Sequence, residues 1–301
     1  MSWQNWSLCN FLRMTAKPMS FGGFDVEALR AVERNSVNLP PTPRGWHVRA
    51  IKDPVPGEWT EPRVQSPKGA GERVILYVHG GGYFFGSPRS HRAITLALAT
   101  GTEARCFSLD YRLAPEHPFP AALEDTLAAY RYLLRQDIAP ECIVLAGDSA
   151  GGALVLSALV SLIGAKVPLP AAAVCFSPWT DLAGTGASLK ANDLRDPLVF
   201  GQSLKASAKH YLGETRADHP LASPLYADLK GLPPLLVHAS EIEVLRDDSV
   251  RLVERARRAG VQVKFTLWRE TPHDWQVFAP HLPEANESLD EAAAFIRERL
   301  P

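Results

Sequence analysis

Residues 143–152 read IVLAGDSAGG. Four apolar residues lead to Gly147, and the small residues after Ser149 continue into an apolar, helix-like stretch at 153–163. This change of pattern predicts a strand that turns sharply into a helix at Ser149. Two interpretations fit such a turn: Ser149 only caps the helix, or Ser149 is a nucleophile held in a strained conformation. The other segments of the chain decide between them.

The composition is that of a globular protein with a sizeable core. Of the 301 residues, 46% are hydrophobic and 22% are charged, which argues against disorder. The net charge is -1 and the chain has no arginine-rich block, so we expect no nucleic-acid partner. No apolar run is long enough for a transmembrane helix, and the first twenty residues lack the apolar core of a signal peptide. We therefore expect a cytoplasmic protein.

The four cysteines are scattered and form no C-x-x-C pair; they are Cys9, Cys106, Cys142 and Cys175. We expect buried free thiols, which suits a reducing compartment. The nine histidines include no H-E-x-x-H spacing, so no metal site is predicted.

Strands and helices alternate from residue 73 onward, and the strands are short, continuous apolar runs. This order predicts an α/β fold with a mostly parallel sheet between helices. Residues 1–45 look irregular apart from a helical piece at 25–35. Residues 180–230 contain no strand-like run and are too long for a simple crossover. We expect these two segments to form a cap, and residues 46–179 and 231–301 to form the first and second parts of the core.

A triple glycine follows the strand-like run VILYV. Gly80, Gly81 and Gly82 come directly after His79. Without Cβ atoms, the backbone N–H groups of such a loop can face an open site and complete an oxyanion hole. The alternatives are a flexible turn or a phosphate cradle, and the second is disfavoured because no G-K-[ST] follows.

A candidate acid and a candidate base follow Ser149 along the chain, in the order serine, acid, histidine that is expected for this fold. His273 lies in the loop that follows the run VKFTLW, where a general base is expected. The loop after LLVHAS offers four carboxylates: Glu241, Glu243, Asp247 and Asp248. The two aspartates read as the N-cap and first turn of the next helix, which leaves the two glutamates as candidate acids.

Six motifs together point to one family: HGGGYFFGS at 79–87, DYRLAPEHPFPAALED at 110–125, GDSAGG at 147–152, SPWTDL at 177–182, EVLRDD at 243–248 and PHDW at 272–275. The chain resembles the bacterial hormone-sensitive-lipase-like esterases of the α/β-hydrolase superfamily. The resemblance covers nearly the whole chain. It implies carboxylic ester hydrolysis without a cofactor, a mostly parallel sheet flanked by helices, and a helical cap built from the N-terminus and an insertion.

The resemblance also implies roles for single residues. Ser149 matches the nucleophile and His273 the base. The backbone donors of the oxyanion hole match Gly81, Gly82 and Ala150. Asp148, His79 and the stretch 110–125 match positions that brace the site.

The acid departs from the commoner family pattern. Many members carry Asp-Pro-Leu-x-Asp, with the first aspartate catalytic. Here the matching stretch begins at Glu243 and reads EVLRD. The resemblance therefore favours Glu243 as the acid, and Asp247 and Glu241 stay open as alternatives.

The family layout places two aromatic and aliphatic segments over Ser149. We expect the substrate-binding side chains to be Tyr83, Phe200, Leu198, Phe21 and Phe24, with Val199 beside them. An apolar pocket of limited length predicts a preference for short- to medium-chain acyl esters.

Alternatives to an esterase use the same fold. A thioesterase or a peptidase shares the triad, and a non-catalytic receptor resembling the plant gibberellin receptors would lack the histidine. The segment VQVKFTLW at 261–268 reads as a sheet edge, through which relatives often form homodimers.

Overall fold

A single mixed sheet organises the protein. The computed structural model describes residues 1–21, 23–36, 39–64 and 72–301. The strands of the sheet are β1 (Trp46–Ile51), β2 (Gly57–Pro62), β3 (Val74–Val78), β4 (Arg105–Leu109), β5 (Ile143–Asp148), β6 (Ala172–Phe176), β7 (Leu235–Ser240) and β8 (Val263–Trp268).

The strand order is β1-β2-β4-β3-β5-β6-β7-β8. Strand β2 pairs antiparallel with both of its neighbours, and the other pairs from β4 to β8 are parallel. This arrangement confirms the predicted α/β fold with a mostly parallel sheet. Strands β3, β5, β6 and β7 are buried on both faces, which explains why they read as continuous apolar runs.

Nine α-helices are described: α1 (Trp3–Met19), α2 (Val26–Ser36), α3 (Arg92–Thr102), α4 (Ala121–Arg135), α5 (Ser149–Gly164), α6 (Ser188–Ala191), α7 (Gly201–Leu212), α8 (Arg246–Arg258) and α9 (Pro283–Arg297). Helices α3 and α9 cover one face of the sheet, and α4, α5 and α8 cover the other. Successive side chains of β3 alternate between the two layers: Ile75 and Tyr77 pack with α3, whereas Leu76 packs with α5.

The carboxyl ends of the parallel strands carry the loops that matter for function. Strands β3, β5, β7 and β8 all end at the same edge of the sheet. In open α/β sheets, ligands bind in the crevice outside these ends. The topology therefore brings the triple-glycine loop, Ser149, Glu243 and His273 to one place, although they are up to 193 positions apart in sequence.

Helices α1, α2, α6 and α7 belong to the two segments expected to form the cap. The segments meet at Ser20, whose Oγ accepts a hydrogen bond from the Phe200 N–H at 3.1 Å and whose carbonyl oxygen accepts one from Ser203 Oγ. Lys17 Nζ also donates to the Asp196 carbonyl oxygen at 2.5 Å. These contacts support our proposal that residues 1–45 and 180–230 form one cap above the two core segments.

Three further observations concern the cysteines, the length of the described helices and the edge of the sheet. Cys9, Cys106, Cys142 and Cys175 are buried free thiols, as predicted. Among the helices that the structure describes, none is both long and apolar enough to cross a membrane. Within the part of the chain that the structure describes, β8 pairs with β7 alone and ends the sheet, so the predicted edge exists. A homodimer formed through this edge stays a proposal.

Candidate active site

Ser149 stands at the junction of β5 and α5 in a strained backbone conformation. Its φ is +47°, a value in the left-handed region that side chains other than glycine rarely adopt. The strain raises the Ser149 hydroxyl out of the regular helix, at the N-terminus of α5, as in a nucleophile elbow. Its backbone carbonyl accepts a hydrogen bond from Trp179 N–H at 2.9 Å, which helps to hold the turn.

The small residues around the elbow are required by space. A Cβ atom on Gly151 would come within 2.0 Å of the Val78 carbonyl oxygen, and one on Gly147 would come within 2.7 Å of the same oxygen. Strand β3 therefore packs directly against the turn. A larger residue at either position would push Ser149 away from the loop that follows β3.

The triple-glycine loop forms a tight turn that is closed by hydrogen bonds to the Gly81 carbonyl oxygen. The Gly81 carbonyl oxygen accepts from Phe84 N–H at 3.1 Å and from Phe85 N–H at 3.0 Å. Gly81 has a φ of +103° and Gly82 a φ of +61°, and both residues line the cavity beside Ser149. Within the described residues, the N–H groups of these two glycines have no acceptor, so they are free to bind an oxyanion.

His273 connects Ser149 with a buried carboxylate. Its Nε2 atom lies 3.0 Å from Ser149 Oγ, and its Nδ1 atom lies 2.6 Å from Glu243 Oε2. A ring in this position can take a proton from the serine on one side while the carboxylate fixes its tautomer on the other. Asp274 Oδ2 also lies 3.0 Å from His273 Nε2.

Glu243 is held from several sides. It is fully buried, and its Oε1 atom accepts from Ser240 N–H at 2.7 Å and from Ser177 Oγ at 3.1 Å. Ser240 Oγ donates in turn to the Thr271 carbonyl oxygen at 2.6 Å. One serine therefore links the acid loop with the histidine loop. Ser177 begins the motif SPWTDL and Ser240 ends the run LLVHAS, but the sequence predicted no role for either serine.

The other carboxylates of the acid loop have different partners. Asp247 accepts from Ser188 N–H at 2.9 Å and pairs with Arg246. Asp248 accepts from the Thr180 and Asp181 N–H groups at 2.8 Å each. The predicted N-cap role of Asp247 is wrong, because α8 begins at residue 246 and its N-cap is residue 245. No described side-chain hydrogen bond joins Glu241, Asp247 or Asp248 to His273.

A buried polar cluster lies beneath the elbow. Asp148 accepts from Tyr77 Oη at 2.5 Å and lies 3.1 Å from His91 Nε2. Burial would raise the pKa of Asp148, but His91 and Tyr77 lower it, so the carboxylate is held ionised. His79 stacks on Tyr111, and burial lowers the pKa of His79 to about 3. A neutral, buried His79 fits the role of a brace for the glycine loop.

A small apolar cavity opens over Ser149 and His273. Its volume is about 220 Å³, below the roughly 300–1,000 Å³ typical of sites for drug-sized ligands. Among the predicted substrate-binding residues, Phe24 and Leu198 line its wall, together with Val199. The cap contributes further apolar residues to that wall: Ala16, Met19, Leu29, Val32 and Leu204.

Three predicted substrate-binding residues lie off the cavity wall. Tyr83 is buried in the core and stacks on Tyr211, with ring centroids 3.7 Å apart. Phe200 packs edge-on against Phe21, and Lys17 Nζ lies 4.6 Å from the centre of the Phe200 ring. The Tyr83 ring packs in the core and the Phe21 and Phe200 rings pack against each other, so none of the three lines this cavity.

Helix α2 forms direct hydrogen bonds with the triple-glycine loop and the residues that follow it. Arg30 donates to the carbonyl oxygens of Phe84 and Ala114, at 2.9 Å each, and pairs with Glu116. Glu33 accepts from Gly86 N–H at 3.1 Å. Helix α2, which contributes Leu29 and Val32 to the cavity wall, is therefore connected to the triple-glycine loop, a contact that the motifs did not predict.

Residues 75–277 match the model of a family described as having the alpha/beta hydrolase fold. This match spans more than half of the chain and includes Ser149, Glu243 and His273. The chain belongs to the α/β-hydrolase family.

Similar proteins give the family assignment more detail. An acetyl-hydrolase of Streptomyces hygroscopicus is 47% identical over 240 residues, which cover 80% of this chain and 79% of the relative. An esterase of Acinetobacter venetianus is 39% identical over 74% of each chain.

Solved structures extend the similarity over the whole chain. A crystal structure of an esterase from the bacterial hormone-sensitive lipase family superposes with a TM-score of 0.91 at 41% identity, covering 100% of this chain and 99% of that one. The structure of EstE5 soaked with p-nitrophenyl butyrate has a TM-score of 0.91 at 38% identity, covering 99% of each chain. The resemblance to the bacterial hormone-sensitive-lipase-like esterases is confirmed.

Proposed function

We propose that this protein is a carboxylesterase that hydrolyses short- to medium-chain acyl esters through Ser149, His273 and Glu243. One observation carries the proposal: His273 reaches Ser149 Oγ with one nitrogen and Glu243 with the other, beneath a small apolar cavity. The esterases and acetyl-hydrolase among the relatives support the same chemistry.

Acylation begins with attack of Ser149 Oγ on the ester carbonyl. His273 Nε2 takes the hydroxyl proton, and Glu243 stabilises the imidazolium through Nδ1. The carbonyl oxygen becomes an oxyanion, which binds the N–H groups of Gly81, Gly82 and Ala150. His273 then gives the proton to the leaving oxygen, and the alcohol departs from an acyl-enzyme on Ser149.

Deacylation repeats these steps with water. His273 Nε2 removes a proton from the water molecule, which attacks the acyl carbonyl in the same oxyanion site. Collapse of the second tetrahedral intermediate returns the proton to Ser149 Oγ and releases the acid. His273 carries each proton between the serine, the leaving alcohol and water, so the proposed cycle needs no cofactor.

A thioesterase, a peptidase or a receptor would use the same fold in another way. The receptor alternative is disfavoured because His273 is present and lies within hydrogen-bond distance of Ser149. Substrates that share a butyryl group separate the two enzymatic alternatives. We expect p-nitrophenyl butyrate to have a higher kcat/KM than butyryl-p-nitroanilide or a butyryl thioester. A preference for the anilide or the thioester would reassign the reaction.

The cavity size predicts a chain-length profile for p-nitrophenyl esters. Each buried CH₂ group adds up to about 0.8 kcal/mol, or about fourfold in binding, until the acyl chain fills the cavity. We expect kcat/KM to rise from acetate and then fall for long chains, with little turnover of long-chain triglyceride emulsions. A maximum on long-chain emulsions would contradict the cavity assignment.

Leu198 and Phe200 form a matched pair for testing the cavity wall. Leu198→Ala enlarges the cavity and should move the optimum of the chain-length profile toward longer esters. Phe200→Ala removes a ring that packs on Phe21 and should lower the melting temperature with little change in the profile. Rate surveys of both variants, with thermal unfolding as the stability measurement, test this assignment. Identical profiles for Leu198→Ala and wild type at equal stability would remove Leu198 from the acyl site.

A further inference from the structure

The Nε2 atom of His273 has two oxygen neighbours at the same distance. Ser149 Oγ and Asp274 Oδ2 each lie 3.0 Å away. A neutral imidazole nitrogen offers one lone pair or one proton, never both. The two oxygens therefore compete for one position on His273, and the mechanism above uses only Ser149.

The backbone holds Asp274 in this position. Its φ is +52°, in the left-handed region, which aspartate tolerates better than most residues. The next residue, Trp275, is fully buried, and its Nε1 atom donates to the Glu284 carbonyl oxygen at 3.1 Å. The Oδ1 atom of Asp274 is buried without a partner among the described residues, and Oδ2 faces His273 Nε2 at ion-pair distance, whereas the hydrogen-bond partner of Nε2 is Ser149 Oγ.

The electrostatic surroundings keep a proton on this pair. Burial raises the pKa of Asp274 to about 7, although His273 opposes the increase. Burial of the ring works against a charged His273, but Asp274 and Glu243 outweigh it and raise the pKa of His273 well above its ordinary value. Because both pKa values are raised, this pair keeps a proton to a higher pH than an isolated imidazole would.

Other titratable groups face the pair from every side. Glu243 lies on the Nδ1 side of the ring, and Asp148 at the end of β5 raises the pKa of Asp274. Three further groups interact with the pair: Tyr77 in β3, His91 directly before α3, and Asp196 in the segment before α7. His79 follows β3 and lies against His91. Carboxylates outnumber the cationic groups in this set, which favours retention of the shared proton.

We propose that Asp274 is a positioning residue that shares a proton with His273 Nε2 in the resting enzyme and thereby sets the pH above which the imidazole can activate Ser149. The inference rests on the proposed function of Ser149 and His273. With the shared proton in place, the pair is either an imidazolium beside a carboxylate or an imidazole that accepts from a carboxylic acid. In neither form does Nε2 offer a lone pair to the serine.

When the shared proton is lost to water, His273 becomes able to act as a general base. Nε2 then has a free lone pair, and the Ser149 hydroxyl donates to it. During attack on the ester, the proton moves from Oγ to Nε2, where the carboxylates of Asp274 and Glu243 stabilise the imidazolium from its two nitrogens. The same proton then passes to the leaving oxygen, so the ionisation of Asp274 is unchanged over the cycle.

The pH dependence of kcat/KM tests the proposal. p-Nitrophenyl butyrate is suitable because its leaving group needs little protonation, so the acidic limb reports the base. For wild type we expect one proton to be lost with a midpoint above about 6.5, the ordinary value for histidine. Asp274→Asn removes the charge and should lower that midpoint by about one pH unit or more. Asp137→Asn is the matched control, since Asp137 is exposed and also has a left-handed φ, of +59°.

Each outcome decides the proposal. A lower midpoint for Asp274→Asn, with Asp137→Asn equal to wild type, supports it. An unchanged midpoint for Asp274→Asn overturns it, because a purely structural role would alter the rate without moving the limb. If Asp274→Asn does not fold, the wild-type midpoint decides: a value at or below about 6.5 overturns the proposal, and a higher one supports it. Absence of wild-type ester turnover at pH 9 would instead contradict the proposed function.

Discussion

Replacing Ser149 with alanine is expected to lower kcat by about 10⁶-fold, which corresponds to about 8 kcal/mol of transition-state stabilisation. The reason is that no other group would form the acyl-enzyme, and only the oxyanion site and substrate binding would remain. The fold should persist because the side-chain oxygen of Ser149 has only one described partner, His273. The measurement is hydrolysis of p-nitrophenyl butyrate by purified variant and wild type.

Ser161→Ala is the matched control for this substitution. Ser161 lies in the same helix, α5, and among the described residues the one acceptor of its Oγ atom is the Ser157 carbonyl oxygen, at 2.8 Å. Its activity and thermal unfolding should match those of wild type closely. A Ser149→Ala protein that retains a tenth of the wild-type kcat would show that another group is the nucleophile.

Replacing Glu243 with glutamine is expected to lower kcat by about 10⁴-fold, the scale for losing the carboxylate that orients a catalytic histidine. Glutamine keeps the size of the side chain but cannot stabilise the imidazolium. It also presents an amide to His273 Nδ1 and to the Ser177 and Ser240 donors. The imidazole is then free to adopt the wrong tautomer, with the proton on Nε2.

Asp247→Asn supplies the comparison for Glu243→Gln. It also removes one carboxylate from the same loop, but Asp247 binds Ser188 N–H and Arg246 and not His273. We expect a loss of kcat below about tenfold and a small loss of stability, as for most partly exposed polar contacts. If Asp247→Asn costs more activity than Glu243→Gln, the acid has been misassigned.

The fold could be predicted because its signals are local. The strands from β3 onward are continuous apolar runs with helical periodicity between them, and β5, β6 and β7 contain no exposed residue. Strand β2 was missed because its sequence, GEWTEP, mixes glycine, proline and two glutamates. Its structure depends on antiparallel pairing with β1 and β4, which no short window reveals.

Helix α1 was missed for a related reason. The N-terminal segment looked irregular because large apolar residues are scattered through it. In the structure, Trp3, Trp6 and Phe11 of this helix are more than half exposed, so they do not form the buried stripe that marks a surface helix. The amphipathic pattern was therefore absent from the sequence although the helix exists.

The motifs located Ser149, Glu243 and His273 because each of them follows a strand in a fixed order along the chain. They could not predict which side chains face the cavity. Phe200 and Leu198 are both large apolar residues in one loop, and only packing against Phe21 turns Phe200 away. The contact of Asp274 with His273 depends on one left-handed backbone angle, which the sequence PHDW does not reveal.

Covalent labelling of Ser149 is the decisive experiment for its proposed role as the nucleophile. Wild-type protein is titrated with phenylmethanesulfonyl fluoride, residual activity on p-nitrophenyl butyrate is followed, and the modified peptide is identified by mass spectrometry. We expect one sulfonyl group per chain, attached to Ser149, and a loss of activity in proportion to the extent of labelling. Full inactivation with the label on another residue, or full activity with Ser149 completely modified, would contradict it.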